Sequence, residues 1–218
     1  MTRPVWPDRR VVVAGLASLA LSEAAKAQSQ PEFYPIPVEL LDGLETLNGK
    51  VSLGATNPEV TIVEFFDYNC VFCRRTARDI RPLISSERDL RFVLVNYAVL
   101  GIQSVTATRV ALAFSRQRAS RYLDFHEQMF AQGGVRDANL AISIATRLGA
   151  DRTKLVKDAD SEAITAAMKA SARLGDQLAF QAMPSFLIGR DGFSGALDLT
   201  QKRAAIRAFR QCEQAVCR

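Results

Sequence analysis

The sequence has little of several features that would mark a specialised class of protein. It contains one histidine, one tryptophan and four cysteines in 218 residues, and four cysteines are too few for a small scaffold held together by dense disulfides. With 28 basic and 23 acidic residues, the net charge of +5 gives no strong field for a polyanion, and no nucleic-acid motif occurs. No internal repeat or low-complexity tract is present. The composition, 48% hydrophobic and 23% charged, is therefore that of an ordinary globular protein.

A long hydrophobic run is also missing, and the apolar segment at residues 11–21 is short. A membrane span needs about 20 apolar residues, so this segment does not predict an anchor. The pair Arg9 and Arg10 precedes it, and the small-x-small sequence at 25–27 follows it. This order predicts a secretory signal peptide at residues 1–27, and hence export to the periplasm by the general secretory or the twin-arginine route. A short buried helix is the alternative.

The rest of the chain alternates between strand and helix patterns. Residues 60–66 and 90–97 are rich in β-branched and aromatic side chains, which predicts two buried strands. Asn69 is a favourable helix cap, so we expect a helix from about residue 70 to 86, kinked by Pro82. The other predicted elements are a helix within 38–47, a block of helices within 104–174, a strand at 185–189, a turn at Asp191-Gly192, a strand at 193–196 and a helix at 199–210.

This order predicts an α/β fold in which one mixed central sheet has helices on both faces, with a helical subdomain inserted in it. The predicted parts are listed by residue number: a signal peptide at 1–27, a lead-in at 28–53, the first half of the fold at 54–103, the inserted helices at 104–177 and the second half at 178–218.

Cys70 and Cys73 lie where the first predicted strand passes into a helix. The first turn of a helix has unpaired N–H groups and the positive end of the dipole, and both lower the pKa of a thiol. A thiolate is the nucleophile of disulfide exchange, and a second cysteine three residues on can close a small disulfide. The spacing therefore predicts a catalytic redox pair. A purely structural disulfide, or half of a zinc site shared with the C-terminal cysteines, is the alternative.

Two other cysteines, Cys212 and Cys217, stand close together at the carboxyl terminus. In an exported protein we expect them to form a structural disulfide, because the pairing of Cys70 with Cys73 and of Cys212 with Cys217 joins each cysteine to its near neighbour in sequence. A second redox centre or an intermolecular link is the alternative. The lone His126 is far from both pairs in sequence and is expected to be a packing or surface residue.

Residues 60–73, VTIVEFFDYNCVFC, resemble the active-site strand and helix of the DsbA-like thioredoxin-fold disulfide oxidoreductases, and are most similar to the exported ScsC-like branch. Residues 122–130 resemble the helical insertion of that branch, and residues 183–189 resemble its cis-proline loop. The resemblance covers about residues 50–210. It implies a thioredoxin fold and a protein thiol–disulfide oxidoreductase with Cys70 and Cys73 as catalytic residues.

The resemblance also implies three supporting residues. Met183 and Pro184 would be joined by a cis peptide, in a loop that faces the cysteine pair and binds an extended peptide by strand addition. A trans proline that opens an edge strand is the alternative. Glu64 would lie beneath the disulfide, where burial raises its pKa and lets it carry a proton to or from Cys73. A solvated glutamate at the sheet edge is the alternative.

Two departures from the family pattern leave open whether the protein oxidises or reduces its substrates, and which substrates it prefers. Val71 and Phe72 separate the cysteines where strong oxidants have a histidine, and Met183 stands where threonine or valine is usual. We predict a dithiol oxidase that acts on unfolded or thiol-containing exported proteins and is reoxidised by a DsbB-like membrane partner. A reductase or isomerase kept reduced by a DsbD-like donor is one alternative, and a periplasmic thiol copper-binding protein is another. No cofactor, metal or nucleic acid is expected, and the short lead-in favours a monomer.

Overall fold

The computed structural model describes Thr2 and residues 31–217, so the predicted signal peptide lies, apart from Thr2, outside the described residues. The α-helices and strands are, in chain order, β1 (Tyr34–Pro35), α1 (Val38–Glu45), β2 (Val51–Gly54), β3 (Val60–Phe66), α2 (Val71–Thr76), α3 (Ile80–Ser86), β4 (Leu90–Asn96), α4 (Ile102–Gln117), α5 (Tyr122–Ala131), α6 (Ala138–Arg147), α7 (Arg152–Ala159), α8 (Glu162–Gln177), β5 (Ser185–Ile188), β6 (Asp191–Ser194) and α9 (Leu199–Cys212).

Six strands form one mixed sheet in the order β1-β6-β5-β3-β4-β2. β3 and β4 are parallel, and every other neighbouring pair in this sheet is antiparallel. The helices α4 to α8 lie between β4 and β5 in the chain. The predicted α/β architecture with a helical insertion is thus confirmed. Within residues 31–217, no helix is both long enough and apolar enough to cross a membrane.

The central strand β3 is buried on both of its faces. Ile62 and Phe66 belong to the larger apolar cluster, whereas Val63 and Phe65 belong to a second cluster that includes residues of α1 and α8. Successive side chains of a strand point to opposite faces, so Glu64 shares the face of Ile62 and Phe66. This face is the one that α2 covers, since α2 contributes a hydrogen bond to Glu64.

The helix predicted over 70–86 is divided in two. A 3-10 segment at Ala77–Asp79 separates α2 from α3. Pro82 explains the break, because its ring in a continuous helix would clash with the carbonyl of residue 78, within this segment. The predicted cap is also corrected: α2 begins at Val71, and its N-cap is Cys70 instead of Asn69.

The hairpin between β5 and β6 turns two residues earlier than predicted. Ile188 pairs with Asp191, so the turn consists of Gly189 and Arg190, and the Asp191-Gly192 pair lies in β6. Gly189 has a φ of +59°, a conformation that glycine adopts without steric cost. The short edge strands β1 and β2 are not predicted from the sequence, because their pairing depends on β6 and β4.

Candidate active site

Both cysteines of the 70–73 pair are free thiols at the start of α2, in different environments. Cys70 is 6% exposed and caps the helix: its Sγ accepts a hydrogen bond from the Cys73 N–H at 3.2 Å. Cys73 lies within the first turn and is completely buried. A substrate can therefore reach Cys70 but not Cys73.

Hydrogen bonds lower the pKa of Cys70 from the ordinary thiol value to about 7. The thiol of Cys73 is the main donor, and the backbone N–H groups of Cys73 and Phe72 add to its effect. Partial burial and the negative charge of Asp67 act in the opposite direction. A large share of Cys70 is consequently thiolate at neutral pH, which is the reactive form in disulfide exchange.

The pKa of Cys73 is raised far above the ordinary thiol value. Burial is the main cause, followed by the hydrogen bond to Cys70 and the negative charge of Glu64. Cys73 thus stays protonated while Cys70 ionises. The pair consists of one accessible nucleophile and one buried proton donor.

Glu64 lies beneath the pair, 1% exposed, on the face of the sheet that α2 covers. Its Oε1 accepts a hydrogen bond from Thr76 Oγ1 at 2.8 Å, and its Oε2 has no hydrogen-bond partner among the described residues. Burial raises the pKa of Glu64 to about 7, against the opposing effects of the Lys202 charge and the Thr76 hydrogen bond. A carboxyl group with this pKa can take up and release a proton near neutral pH.

A buried ion pair closes the site from below. Lys202 of α9 is completely buried, and its Nζ lies 2.8 Å from Asp79 Oδ2 and 3.3 Å from the Thr76 carbonyl oxygen. It also lies above the ring of Phe186, 5.4 Å from the centroid. The lysine charge disfavours protonation of Glu64 and offsets part of the effect of burial, whereas the Asp79 charge acts in the opposite direction.

The loop before β5 lies beside Cys70. The Met183–Pro184 peptide is cis, and the Cys70 thiol donates a hydrogen bond to the Met183 carbonyl oxygen at 3.4 Å. The Pro184 carbonyl oxygen accepts a hydrogen bond from Gly195 N–H at 2.9 Å, which ties this loop to the end of β6. The structure thus brings Cys70, Cys73, Glu64, Met183 and Pro184 together.

A groove of about 770 Å³ opens at Cys70. None of its lining residues carries a charged side chain, and Val71, Phe72, Val99 and Leu100 are each about half exposed or more. The other lining residues are Asn69, Tyr97, Phe180, Gln181, Ala182, Met183, Gly195 and Ala196. A groove of this shape can hold an apolar, uncharged stretch of polypeptide next to the reactive sulfur.

Comparison with known proteins assigns the fold and the class of reaction. Residues 46–208, most of the chain, match the family model described as Thioredoxin. The chain belongs to the thioredoxin family. Disulfide bond formation protein D of Bacillus subtilis (strain 168) is 25% identical to this thioredoxin-family chain over 160 residues, which are 69% of the chain and 72% of that protein.

Solved structures agree with this assignment. A thioredoxin-like oxidoreductase from Silicibacter pomeroyi DSS-3 is 31% identical and has a TM-score of 0.72, with 78% of this chain and 98% of that chain covered. The thiol-disulfide exchange protein alpha-DsbA2 from Wolbachia pipientis is 25% identical, also with a TM-score of 0.72, and the covered shares are 78% and 92%. The ScsC catalytic domain of Proteus mirabilis, 20% identical, shares the fold. The predicted thioredoxin fold and DsbA-like relationship are confirmed, and the protein is a thiol–disulfide oxidoreductase.

Asp67 and Asn69 also support this thioredoxin-family site, a role that the sequence alone does not predict. Asn69 Nδ2 donates to Ser104 Oγ at 3.0 Å and to the Arg136 carbonyl oxygen at 2.9 Å, and its Oδ1 accepts from the Arg136 N–H at 2.8 Å. Asn69 therefore joins the cysteine turn to the helical insertion. The signal in the sequence is an acid and an amide within three residues of the end of a buried strand, where polar side chains need partners.

The burial of Lys202 is also not predicted from the sequence, although its spacing from the apolar residues of α9 indicates it. It lies on the buried side of α9 with Ala205 and Ile206, three and four residues on. A lysine on the apolar stripe of an amphipathic helix needs a buried partner, and here the partner is Asp79.

The remaining residues that the sequence singled out lie apart from the groove. Cys212 and Cys217 form a disulfide at the end of α9, and neither lines the groove. His126 is 1% exposed and packs among the rings of Phe66, Tyr68, Tyr122 and Phe130.

Proposed function

We propose that the protein oxidises pairs of thiols in exported polypeptides, with Cys70 as the sulfur that forms the mixed disulfide and Cys73 as its buried partner. One observation carries the proposal: the accessible Cys70, whose pKa is lowered to about 7, opens onto an uncharged groove beside the Met183 carbonyl group. The thiolate, the leaving thiol and a place for a peptide are thus next to one another.

The oxidative reaction starts from a Cys70–Cys73 disulfide. A substrate thiolate attacks Cys70 Sγ, a bond forms between substrate and Cys70, and the electron pair of the broken disulfide leaves on Cys73. A second substrate thiolate then attacks the substrate sulfur of this mixed disulfide and releases Cys70 as a thiolate. The substrate loses two electrons and gains a disulfide, and the cysteine pair gains two electrons.

We assign supporting roles to Glu64, Met183 and Pro184. Cys73 leaves as a thiolate in a buried site where its pKa is high, so it must take up a proton. Glu64, with a pKa of about 7, is the acid beneath it that can supply that proton. The Met183 carbonyl group lies beside Cys70, and there it can accept an N–H of an extended substrate, while Pro184 leads the loop into β5.

The same cysteine pair could instead reduce or isomerise substrate disulfides, so the direction of exchange has to be argued separately. A thiolate stabilised by helix N–H groups stabilises the reduced pair, and this makes the disulfide more oxidising. The name of the Bacillus subtilis relative, a disulfide bond formation protein, agrees with that direction. However, a Cys70 pKa of about 7 is close to that of thioredoxin, a reductant, and well above that of DsbA. A reductase or isomerase is therefore the alternative.

The setting is also part of the proposal. The basic, apolar and small-residue segments at residues 1–27 support export to the periplasm. There a membrane redox partner would reoxidise the pair in an oxidase, or reduce it in a reductase. We propose that the mature protein works as a monomer.

Two measurements test the proposal. The Cys70→Ser variant should lose insulin-disulfide reduction and peptide oxidation, while the Cys212→Ser/Cys217→Ser double variant should retain both. An active Cys70→Ser variant would overturn the mechanism. Equilibration with glutathione, followed by thiol alkylation and mass, then gives the direction: a potential near about −120 mV supports the oxidase, and one near about −270 mV supports the reductase.

A further inference from the structure

One wall of the groove has no secondary structure of its own. Residues 97–101 connect β4 to α4, and Val99 and Leu100 of this segment line the groove with about half of each side chain exposed. The backbone N–H groups of both residues donate hydrogen bonds to Asp67 Oδ2, at 2.9 and 3.0 Å. A single carboxylate oxygen therefore holds the segment, here called the groove wall.

The other oxygen of the same carboxylate holds the turn that carries the reactive cysteine. Asp67 Oδ1 accepts hydrogen bonds from the Asn69 N–H and from Ser104 Oγ, both at 2.7 Å. The Asp67 carbonyl oxygen also accepts from the Cys70 N–H at 3.1 Å. Asp67 is 1% exposed, so these hydrogen bonds replace the water that a carboxylate needs.

The charge of Asp67 also acts on the reactive thiol. The groups that face Cys70 are the thiol and N–H of Cys73, the N–H of Phe72, the carbonyl oxygen of Met183 and the carboxylate of Asp67. The first three donors stabilise the thiolate, whereas Asp67 raises the pKa of Cys70. Asp67 thus makes Cys70 less ionised than the helix terminus alone would.

We infer that Asp67 is a positioning residue that fixes the groove wall relative to Cys70, so that exchange with peptides depends on it more strongly than exchange with small thiols does. This inference rests on the proposed function. A peptide must contact the wall and the sulfur at the same time, whereas dithiothreitol needs only the sulfur. The ratio of the two rates separates this role from a general effect on reactivity.

The Asp67→Asn variant tests the inference. An amide keeps one accepting oxygen and replaces the other with an NH₂ group, so one pair of donors loses its acceptor. The ratio of kcat/KM for a cysteine-containing peptide to the rate constant for dithiothreitol should fall about tenfold, mainly through KM, since one of the two segments that Asp67 holds loses its hydrogen bonds. The pKa of Cys70, from the pH profile of iodoacetamide alkylation, should fall because a negative charge is removed.

Asp191→Asn is the matched control. Asp191 is also buried and accepts a backbone N–H, that of Ala215 at 2.7 Å, but Ala215 does not line the groove, whereas Val99 and Leu100 do. This variant should lose stability and keep both the rate ratio and the Cys70 pKa of the wild type. An Asp67→Asn variant that changes stability alone, with the ratio within twofold, would overturn the inference.

Hydrogen exchange of the wild-type protein tests the inference without any variant. The Val99 and Leu100 amides should be protected despite their place in an exposed segment, because Asp67 accepts both. Exchange at the rate of an unstructured peptide would show that Asp67 does not hold the wall. A wild-type protein that reacts with dithiothreitol but with no peptide would instead refute the proposed function.

Discussion

Single residues at this site have opposite effects on neighbouring thiols. The Cys73 thiol and the helix N–H groups lower the pKa of Cys70, while burial and Glu64 raise that of Cys73. The two sulfurs lie one helical turn apart, so the difference in their pKa values comes from burial and hydrogen bonding. The assignment of nucleophile and buried partner follows from this difference.

Glu64 should make the folded protein less stable as the pH rises. Its folded pKa of about 7 lies above the ordinary value of 4.5, so its contribution is fully present below pH 4.5 and is lost as the pH rises through 7. The loss amounts to about 3 kcal/mol. The Glu64→Gln variant cannot ionise, and its stability relative to wild type should therefore increase between pH 4.5 and 8.

Urea denaturation of both proteins at the two pH values measures this difference. The same variant should also exchange disulfides more slowly near neutral pH, because Cys73 would lack its proton donor. Equal stability differences at pH 4.5 and pH 8 would mean that Glu64 does not titrate in this range.

His126 should make the folded protein less stable as the pH falls, the opposite of the effect of Glu64. Burial lowers its pKa to about 3 from 6.5, and Nδ1 has no hydrogen-bond partner among the described residues. The folded protein thus binds this proton less readily than the unfolded chain, so stability is full above pH 6.5 and falls as the pH drops toward 3, by about 1.4 kcal/mol per pH unit.

His126→Leu should remove this acid-dependent loss, and the thermal midpoints of both proteins between pH 7 and pH 4 report it. The aromatic cage around residue 126 should accept a leucine of similar volume. A variant whose midpoint falls as steeply as that of the wild type would show that His126 is not the titrating group.

At the scale of elements, the sequence predicts local patterns better than edges. The strand β3 and the helices of the insertion follow from strand-like runs and periodic apolar residues, which are local. The segments Tyr34–Pro35 and Val51–Gly54 become strands only because β6 and β4 offer partners. The cysteine turn could be predicted from the motif. The four hydrogen bonds that the Asp67 carboxylate accepts could not, because they join segments up to 37 residues apart in sequence.

The β5–β6 turn should tolerate no side chain at Gly189. An added Cβ would lie 2.5 Å from the Phe209 ring, and the φ of +59° disfavours other residues. Gly189→Ala should therefore destabilise the protein by about 2 kcal/mol or more. Gly133→Ala is the control, because its Cβ would meet no atom within 4 Å. Equal midpoints of the two variants in urea would contradict this account of the turn.

At the scale of the whole molecule, three distant parts of the chain meet at Cys70. Residues from the turn at 67–70, from the groove wall at 97–101 and from the loop at 180–184 line the groove. Their meeting follows from the order of the sheet, because β3 lies between β4 and β5 and all three segments are attached to these strands. The resemblance to a known family predicted the cysteine and proline parts, while the wall and the buried Lys202 depend on this chain's own packing.

The segment after α9 is fixed to the same sheet through Asp191, the first residue of β6. After α9 the chain turns back at Glu213, which has a φ of +57°, and the buried Ala215 donates its N–H to Asp191 at 2.7 Å. The Cys212–Cys217 disulfide closes this turn. It does not touch the groove, so its contribution should be to stability and not to exchange.

Replacing both C-terminal cysteines by serine should therefore lower the free energy of unfolding without changing catalysis. A disulfide stabilises mainly by restricting the unfolded chain, and closing a loop this short is worth about 2 kcal/mol at most. Denaturation in urea should detect that loss, while the rate of peptide oxidation per folded molecule should equal that of the wild type. A folded double variant with slower exchange would contradict this purely structural role.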